Sequence, residues 1–253
     1  MARILILGGT AQARALAARL AQRRDLAVTL SLAGRTANPA AQPVPVRIGG
    51  FGGADGLARH LVEGRIDALI DATHPYAATM AANAASASRS AGVPLMALRR
   101  PPWSAVVGDR WIEAADVLAA VAALGGMPRR VFLALGRKEL APFEAAPQHH
   151  YLVRSVDPVE PPLAVPNARY VTGRGPFTEA GDHALLSEHR IEIVVAKNSG
   201  GSATYSKIAA ARTLGLTVVL LARPRLPEVP AASTVEEVEA WIDHATPRAE
   251  RDV

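Results

Sequence analysis

Arg3-Ile4-Leu5-Ile6-Leu7-Gly8-Gly9-Thr10-Ala11-Gln12-Ala13 is the stretch that decides the fold class. Its unbroken apolar run reads as a strand buried on both faces, the habit of parallel sheets. The glycine pair ends that run, and good helix formers follow at once over residues 11–21. A second apolar run, 26–32, completes a strand–glycine turn–helix–strand unit. Such a unit resembles the opening of a dinucleotide-binding fold, in which a glycine turn lets a helix N-terminus meet a pyrophosphate. Gly8, Gly9 and Thr10 are therefore expected to bind a cofactor. Thr10 stands where the full G-x-G-x-x-G pattern has its second glycine, and Ala13 takes the third position.

The end of the second strand selects the nucleotide. Sites that prefer NAD place an Asp or Glu there to hold the ribose 2′-hydroxyl. This chain has Ser31-Leu32-Ala33-Gly34-Arg35-Thr36 instead. Ser31, Gly34, Arg35 and Thr36 suit a 2′-phosphate, because a guanidinium and hydroxyls complement a dianion. The expected cofactor is NADPH.

Strand-like and helical runs alternate along the rest of the chain. Strands are expected at 46–48, 68–71 and 93–98, and helices at 55–63, 76–91 and 114–124. Gly125-Gly126-Met127-Pro128 reads as a linker. Beyond it, strands at 130–135, 151–156, 168–172, 191–196 and 217–221 are joined by helices at 179–188 and 202–214, and a helix at 235–244 closes the pattern. The pattern predicts an α/β protein of two Rossmann-like domains, with mainly parallel sheets and a cleft between them. Residues 1–126 would bind NADPH, 127–245 would bind substrate, and 246–253 would be a disordered tail.

Composition narrows the function. None of the 253 residues is cysteine, which excludes disulfides, thiol catalysis and iron–sulfur clusters. No apolar run approaches the ~20 residues of a spanning helix, and no secretory signal is evident, so a cytoplasmic location and no membrane contact are expected. A net charge of +5 and a pI near 10.1 favour an anionic partner. Nucleic acid is not expected, because aromatics are only 4% and no Lys/Arg run exceeds two residues. A polycarboxylate or polyphosphate ligand remains. A monomer is compatible with this reading.

Right-handed crossovers place strand-to-helix loops on one edge of each sheet, where ligands bind. Gly49-Gly50-Phe51-Gly52-Gly53 is such a loop. Gly50, Phe51 and Gly52 are expected to approach the cofactor closely; a hinge is the plainer alternative. In Asp71-Ala72-Thr73-His74-Pro75-Tyr76-Ala77, Pro75 suits the first helical position, which puts His74 at the cap. Thr73 and His74 are expected beside the cofactor. In the second half, Lys197-Asn198-Ser199-Gly200-Gly201-Ser202 follows a strand and opens a helix, so free amides plus Lys197 would form an anion site. Tyr205 and Lys207 fall in the first turns of that helix, and Arg137, Lys138 and Arg174 in two further loops. Solvated basic surface is the alternative for any one of these cations. No Tyr-x-x-x-Lys pair, P-loop, G-x-S-x-G or zinc-type histidine cluster occurs, and no metal is expected.

Taken in order, Leu7-Gly8-Gly9-Thr10, residues 31–36, the glycine loop 49–53, Asp71 to Ala77, Arg174-Gly175-Pro176-Phe177 and Lys197 to Thr204 resemble the precorrin-6A reductase family. The resemblance runs from Arg3 to about Trp241. It implies NADPH-dependent reduction of one double bond of precorrin-6A, giving precorrin-6B, in cobalamin biosynthesis. Close relatives act on the cobalt-containing substrate of the anaerobic route. The implied substrate is a tetrapyrrole fringed with acetate and propionate carboxylates, which agrees with a basic site. Asn198, Ser199, Gly200 and Thr204 join Arg137, Lys138, Arg174, Lys197, Tyr205 and Lys207 as substrate-binding candidates. His74, Tyr76 and Lys197 are the candidates for proton donation during hydride transfer. A non-catalytic NADPH sensor and a reductase of a smaller anion are the alternatives.

Overall fold

Ile4, Leu5 and Ile6 are fully buried and Leu7 is 2% exposed, as expected of a strand covered on both faces. The computed structural model describes residues 1–34 and 41–246. In chain order its elements are β1 (Ala2–Leu7), α1 (Ala11–Leu20), β2 (Leu26–Leu32), β3 (Val46–Ile48), α2 (Gly53–Glu63), β4 (Ala68–Asp71), α3 (Ala78–Ala91) and β5 (Leu95–Leu98). Then follow β6 (Arg110–Ala114), α4 (Val117–Ala123), β7 (Arg130–Ala134), β8 (His150–Ser155), β9 (Ala168–Thr172), α5 (Glu179–Glu188) and β10 (Ile193–Lys197). The chain ends with α6 (Ser206–Thr213), β11 (Thr217–Leu221), β12 (Ala231–Ala232) and α7 (Val235–Ala245). Two six-stranded sheets form, β12-β5-β4-β1-β2-β3 and β6-β11-β10-β7-β8-β9, and the paired strands run parallel in both. The fold is α/β and Rossmann-like in each half.

The first sheet winds outward in two directions from a central pair, and the second does so after entering at its edge strand β6. In the first, the chain leaves β1 through β2 to β3 and leaves β4 through β5 to β12. In the second the central pair is β7 and β10. Ligands of such sheets bind where the winding reverses, at the carboxyl ends of the central strands. Apolar cores cover both faces of the first sheet. Leu16, Leu20, Val238 and Ile242 lie in one; Leu57, Leu61 and Ala84 lie in the other. No helix among the described residues is long and apolar enough to cross a membrane.

The division of the chain differs from the linker-based expectation of 1–126 and 127–245. One unit comprises Met1–Pro101 with Pro224–Val253, and the other Pro102–Arg223. The region read as one helix over 114–124 contains the end of β6 and the shorter α4. In β6, Arg-Trp-Ile-Glu-Ala, only Ala114 is buried, so the strand lacks an apolar run. It nevertheless pairs with β11 and draws residues 102–123 into the second unit. At the other end, β12 pairs with β5, and α7 buries Val238 and Ile242 in the first core. Thr246 is not tail: it caps α7, donating its N–H (3.0 Å) and hydroxyl (2.8 Å) to the Ile242 carbonyl. The rest of the expected tail, 247–253, lies outside the described residues, as do Arg35 and Thr36.

Candidate active site

In the first unit the glycine turn joins β1 to α1 at the central pair of strands. A β-carbon on Gly8 would stand 2.5 Å from Leu30 Cδ1 and 3.4 Å from Ala13 Cβ, so this glycine lets β1, β2 and α1 close together. Gly9 has φ 110° and nothing within 4 Å of where a side chain would start, which leaves an open backbone surface. The Thr10 hydroxyl accepts from the Ala13 N–H (3.0 Å) and donates to the Ala72 carbonyl (2.8 Å). It thereby caps α1 and ties the loop after β1 to the loop after β4. The Thr10 side chain is committed to the cap, which leaves the backbone of Gly8 to Thr10 as the groups that could meet an anion.

At the end of β2, Ser31 is buried, and Arg47 Nη1 makes a long 3.5 Å contact with its Oγ. Arg47 is a residue that the sequence motifs do not single out. It donates to the carbonyls of Gly49 (2.6 Å) and Gly50 (2.8 Å), and its guanidinium lies 3.8 Å over the Phe51 ring. One arginine thus shapes the whole glycine loop. The available signal was a charged residue between Val46 and Ile48, in a strand that runs straight into glycines. Gly52 caps α2 in a left-handed conformation (φ 80°), whereas Gly50 has an ordinary φ and open space around it. Gly34 closes against Ile48: a β-carbon there would lie 3.2 Å from Cγ2.

After β4, the Asp71 Oδ1 accepts from the Thr73 N–H (3.1 Å) and hydroxyl (2.6 Å). The Tyr76 N–H donates to His74 Nδ1 (3.3 Å), and the Ala77 N–H to the His74 carbonyl (2.8 Å). His74 is therefore not the helix cap expected from Pro75. These local bonds satisfy the groups that a first helical turn would use, so α3 starts later, at Ala78, with Ala77 at its cap. With Nδ1 accepting, a neutral His74 carries its proton on Nε2, an assignment that follows from the hydrogen bond. The His74 and Tyr76 rings stand 5.6 Å apart.

In the second unit β10 ends at Lys197, whose Nζ lies 2.7 Å from Glu139 Oε1. Glu139 sits in the turn after β7, so this ion pair bridges the loops of the central strand pair. The sequence motifs do not mark Glu139 either. It folds over Gly136, where a β-carbon would meet its Oε2 at 2.5 Å. Arg137, Lys138 and Arg174 are exposed, while Ser199 and Gly200 are buried. Beside the Arg174 stretch lies an open recess of about 400 Å³. There Arg154, paired with Asp182, lies 3.8 Å over the Phe177 ring.

The helix start expected in this unit needs correction, and Trp103 engages three of the candidate residues around it. The helix expected from Ser202 begins at Ser206, so its amides do not open directly beside Lys197. Instead the loop wraps Trp103, whose indole N–H donates to the Gly201 carbonyl (2.8 Å). The Asn198 side chain accepts from the Trp103 N–H (2.7 Å) and donates to the Trp103 carbonyl (3.0 Å), which makes it an anchor of this loop. Tyr205 sets its ring edge-on to Trp103 at 5.5 Å, and its hydroxyl is engaged by Arg212. Lys207 is buried, donates to the Thr204 carbonyl, and holds Nζ 5.2 Å from the Trp103 ring. Burial pushes its ammonium down to about 7; neighbouring Arg154 adds to the effect and Asp182 opposes it. A large aromatic needs cover, and these side chains supply it.

Two doubly wound parallel sheets, one with a glycine turn and the other with a Lys–Glu pair at the reversal point, define a two-unit α/β protein that is Rossmann-like in each half. The chain belongs to the family described as precorrin-6x reductase CbiJ/CobK, whose model matches residues 3–243, and it is an oxidoreductase. It is 54% identical to a precorrin-6A reductase from Sinorhizobium sp. over 96% of this chain and 93% of that one. A solved structure of CobK precorrin-6A reductase matches with a TM-score of 0.94 and 51% identity, covering 98% of this chain and 99% of that one. A cobalt-precorrin-6A reductase from Priestia megaterium is 27% identical over 93% and 96% of the two chains.

Proposed function

We propose that NADPH bound to the first unit is the reductant that converts precorrin-6A to precorrin-6B, with the substrate's carboxylates held by the second unit. The activity itself, precorrin-6A reduction in cobalamin biosynthesis, follows from membership of the family. The gap between 54% and 27% identity supports the cobalt-free substrate over the cobalt-containing one. A cytoplasmic location is part of the same proposal.

The observation that carries the choice of cofactor is one of charge. No Asp or Glu occurs between Asp25 and Asp55, the whole span that could hold a ribose 2′-hydroxyl. Ser31 and Arg47 stand there instead, with Arg35 and Thr36 close in sequence. The open backbone at Gly9 fits a pyrophosphate, since nothing lies within 4 Å of where a β-carbon would be. Bound there, NADPH would supply the hydride. The Gly50–Phe51–Gly52 backbone covers the nucleotide, and Thr73 and His74 border it. Arg137, Lys138, Arg174 and Lys197 face the substrate's carboxylates with Ser199, Gly200 and Thr204. His74 Nε2, the Tyr76 hydroxyl and Lys197 Nζ are the candidate proton-holding atoms.

The test is the absorbance change on mixing precorrin-6A with NADPH or NADH. We expect turnover with NADPH and poor turnover with NADH. Arg35→Ala should weaken NADPH binding about 10- to 100-fold, the worth of a charge-assisted contact of ~1.5–3 kcal/mol, while barely changing NADH. Equal loss for both cofactors would make Arg35 structural and remove it from the 2′-phosphate site.

A further inference from the structure

Arg99 and Arg100 directly follow β5, at the same carboxyl edge of the first sheet as Thr73 and His74. Arg99 Nη2 donates to the Pro227 carbonyl (3.0 Å), which pins the guanidinium. Its Nε is fully enclosed and has no hydrogen-bond acceptor. Two other arginines of this unit donate to backbone carbonyls: Arg3 to Gly64, and Arg47 to Gly49 and Gly50. Arg99 lines a narrow recess with Arg100, His74, Thr73, Gln12 and Asp71. The one carboxylate among them, Asp71, turns Oδ1 to the amide and hydroxyl of Thr73. The Thr73 hydroxyl donates to Asp71 and the Gln12 amide to the Ser233 carbonyl (3.4 Å), so Arg99 and Arg100 are the cationic donors of the recess. The free space in the recess is about 10 Å³, enough for one oxygen-sized group.

We propose that this recess is a subsite for one carboxylate arm of the tetrapyrrole substrate, whose oxygen accepts the Arg99 Nε–H. The inference rests on the tetrapyrrole reading of the substrate. It adds a substrate contact on the first unit, where the sequence motifs mark only cofactor-binding and candidate catalytic residues. A single oxygen at the tip of an acetate or propionate matches that free space, and an anion matches the two arginines that line the recess.

Arg99→Lys tests this, because lysine keeps the charge and lacks the Nε–H donor. Leu226→Phe is the second variant; it narrows the recess from another wall and leaves Arg99 in place. Each should raise the KM for precorrin-6A at least tenfold, with the NADPH Kd within twofold of wild type. If Arg99→Lys unfolds, Leu226→Phe decides alone. An unchanged KM in a folded variant overturns the subsite and leaves the recess to a water molecule. A parallel rise in the NADPH Kd overturns it too, because the occupant is then an oxygen of the cofactor. Failure of the underlying activity is seen separately, as absent precorrin-6A reduction in the wild-type enzyme.

Discussion

Lys207 sets a pH response at the scale of one residue. Its ammonium, held at about 7 in the fold, has an ordinary value of 10.5. Between those values the unfolded chain binds more protons than the native one, so stability rises with pH across that window and is flat below it. The gain is on the order of a few kcal/mol, since each pH step of one across the window contributes roughly 1.4 kcal/mol. Thermal unfolding of the wild type should therefore move upward from pH 7 to pH 10. Lys207→Met, which keeps length and removes the buried charge, should lose that slope. A slope that survives the substitution would place its origin in another group. Such a residue could not be recognised in sequence: Lys207 reads as a basic residue on a helix near a basic loop. Only the packing of Thr204 and Trp103 shows that it points inward.

The glycine loop after β3 is an element whose backbone conformation separates residues of one type. Four glycines look interchangeable in sequence, yet their backbone angles separate them. Gly49, Gly52 and Gly53 have φ of 115°, 80° and 93°, where any side chain is strained by roughly 1–2 kcal/mol. Gly50 has no such need and an open surround. Gly50→Ala should leave chemical denaturation within about 0.5 kcal/mol of wild type, as for a neutral surface change. It should nevertheless weaken NADPH binding several-fold by calorimetry. An unchanged Kd would make the loop a matter of backbone geometry alone. Gly52→Val is the poorer probe, because strain at the α2 cap mixes folding with binding. Helix starts were the elements least visible in sequence. Pro75 and Ser202 both look like first-turn residues, and in each case local hydrogen bonds carry the chain through a further turn first.

At the scale of the whole molecule, the first unit is built from two separated segments, Met1–Pro101 and Pro224–Val253. Its core depends on the second of these. Val238 and Ile242 are fully buried beside Leu16 and Leu20, and Arg19 on α1 reaches Glu236 (2.9 Å) and Glu239 on α7. Each buried side chain contributes about 1.5–3 kcal/mol by its area. A chain truncated after Arg223 should consequently lose the first unit in calorimetry and keep a separate transition from Pro102–Arg223. A single intact transition in the truncated chain would mean that α7 is dispensable.

What the sequence determined by itself was local and periodic. Continuous apolar runs marked most of the strands of both parallel sheets, because a strand buried on two faces has no polar side to show. The glycine turn, the missing carboxylate after β2 and the ordered motifs pointed to a dinucleotide and to the family. The tertiary structure alone decided the rest, for two physical reasons. Edge strands such as β6 and β12 are specified by a neighbour's free hydrogen-bonding groups rather than by their own apolar residues, so the linker misplaced the boundary between units. Side-chain roles depend on what packs opposite. Asn198, Tyr205 and Lys207 resemble ligand contacts along the chain, yet they surround a tryptophan nearly a hundred or more residues away in sequence. Arg47 and Glu139 look like ordinary surface charges, yet one organises the glycine loop and the other holds Lys197.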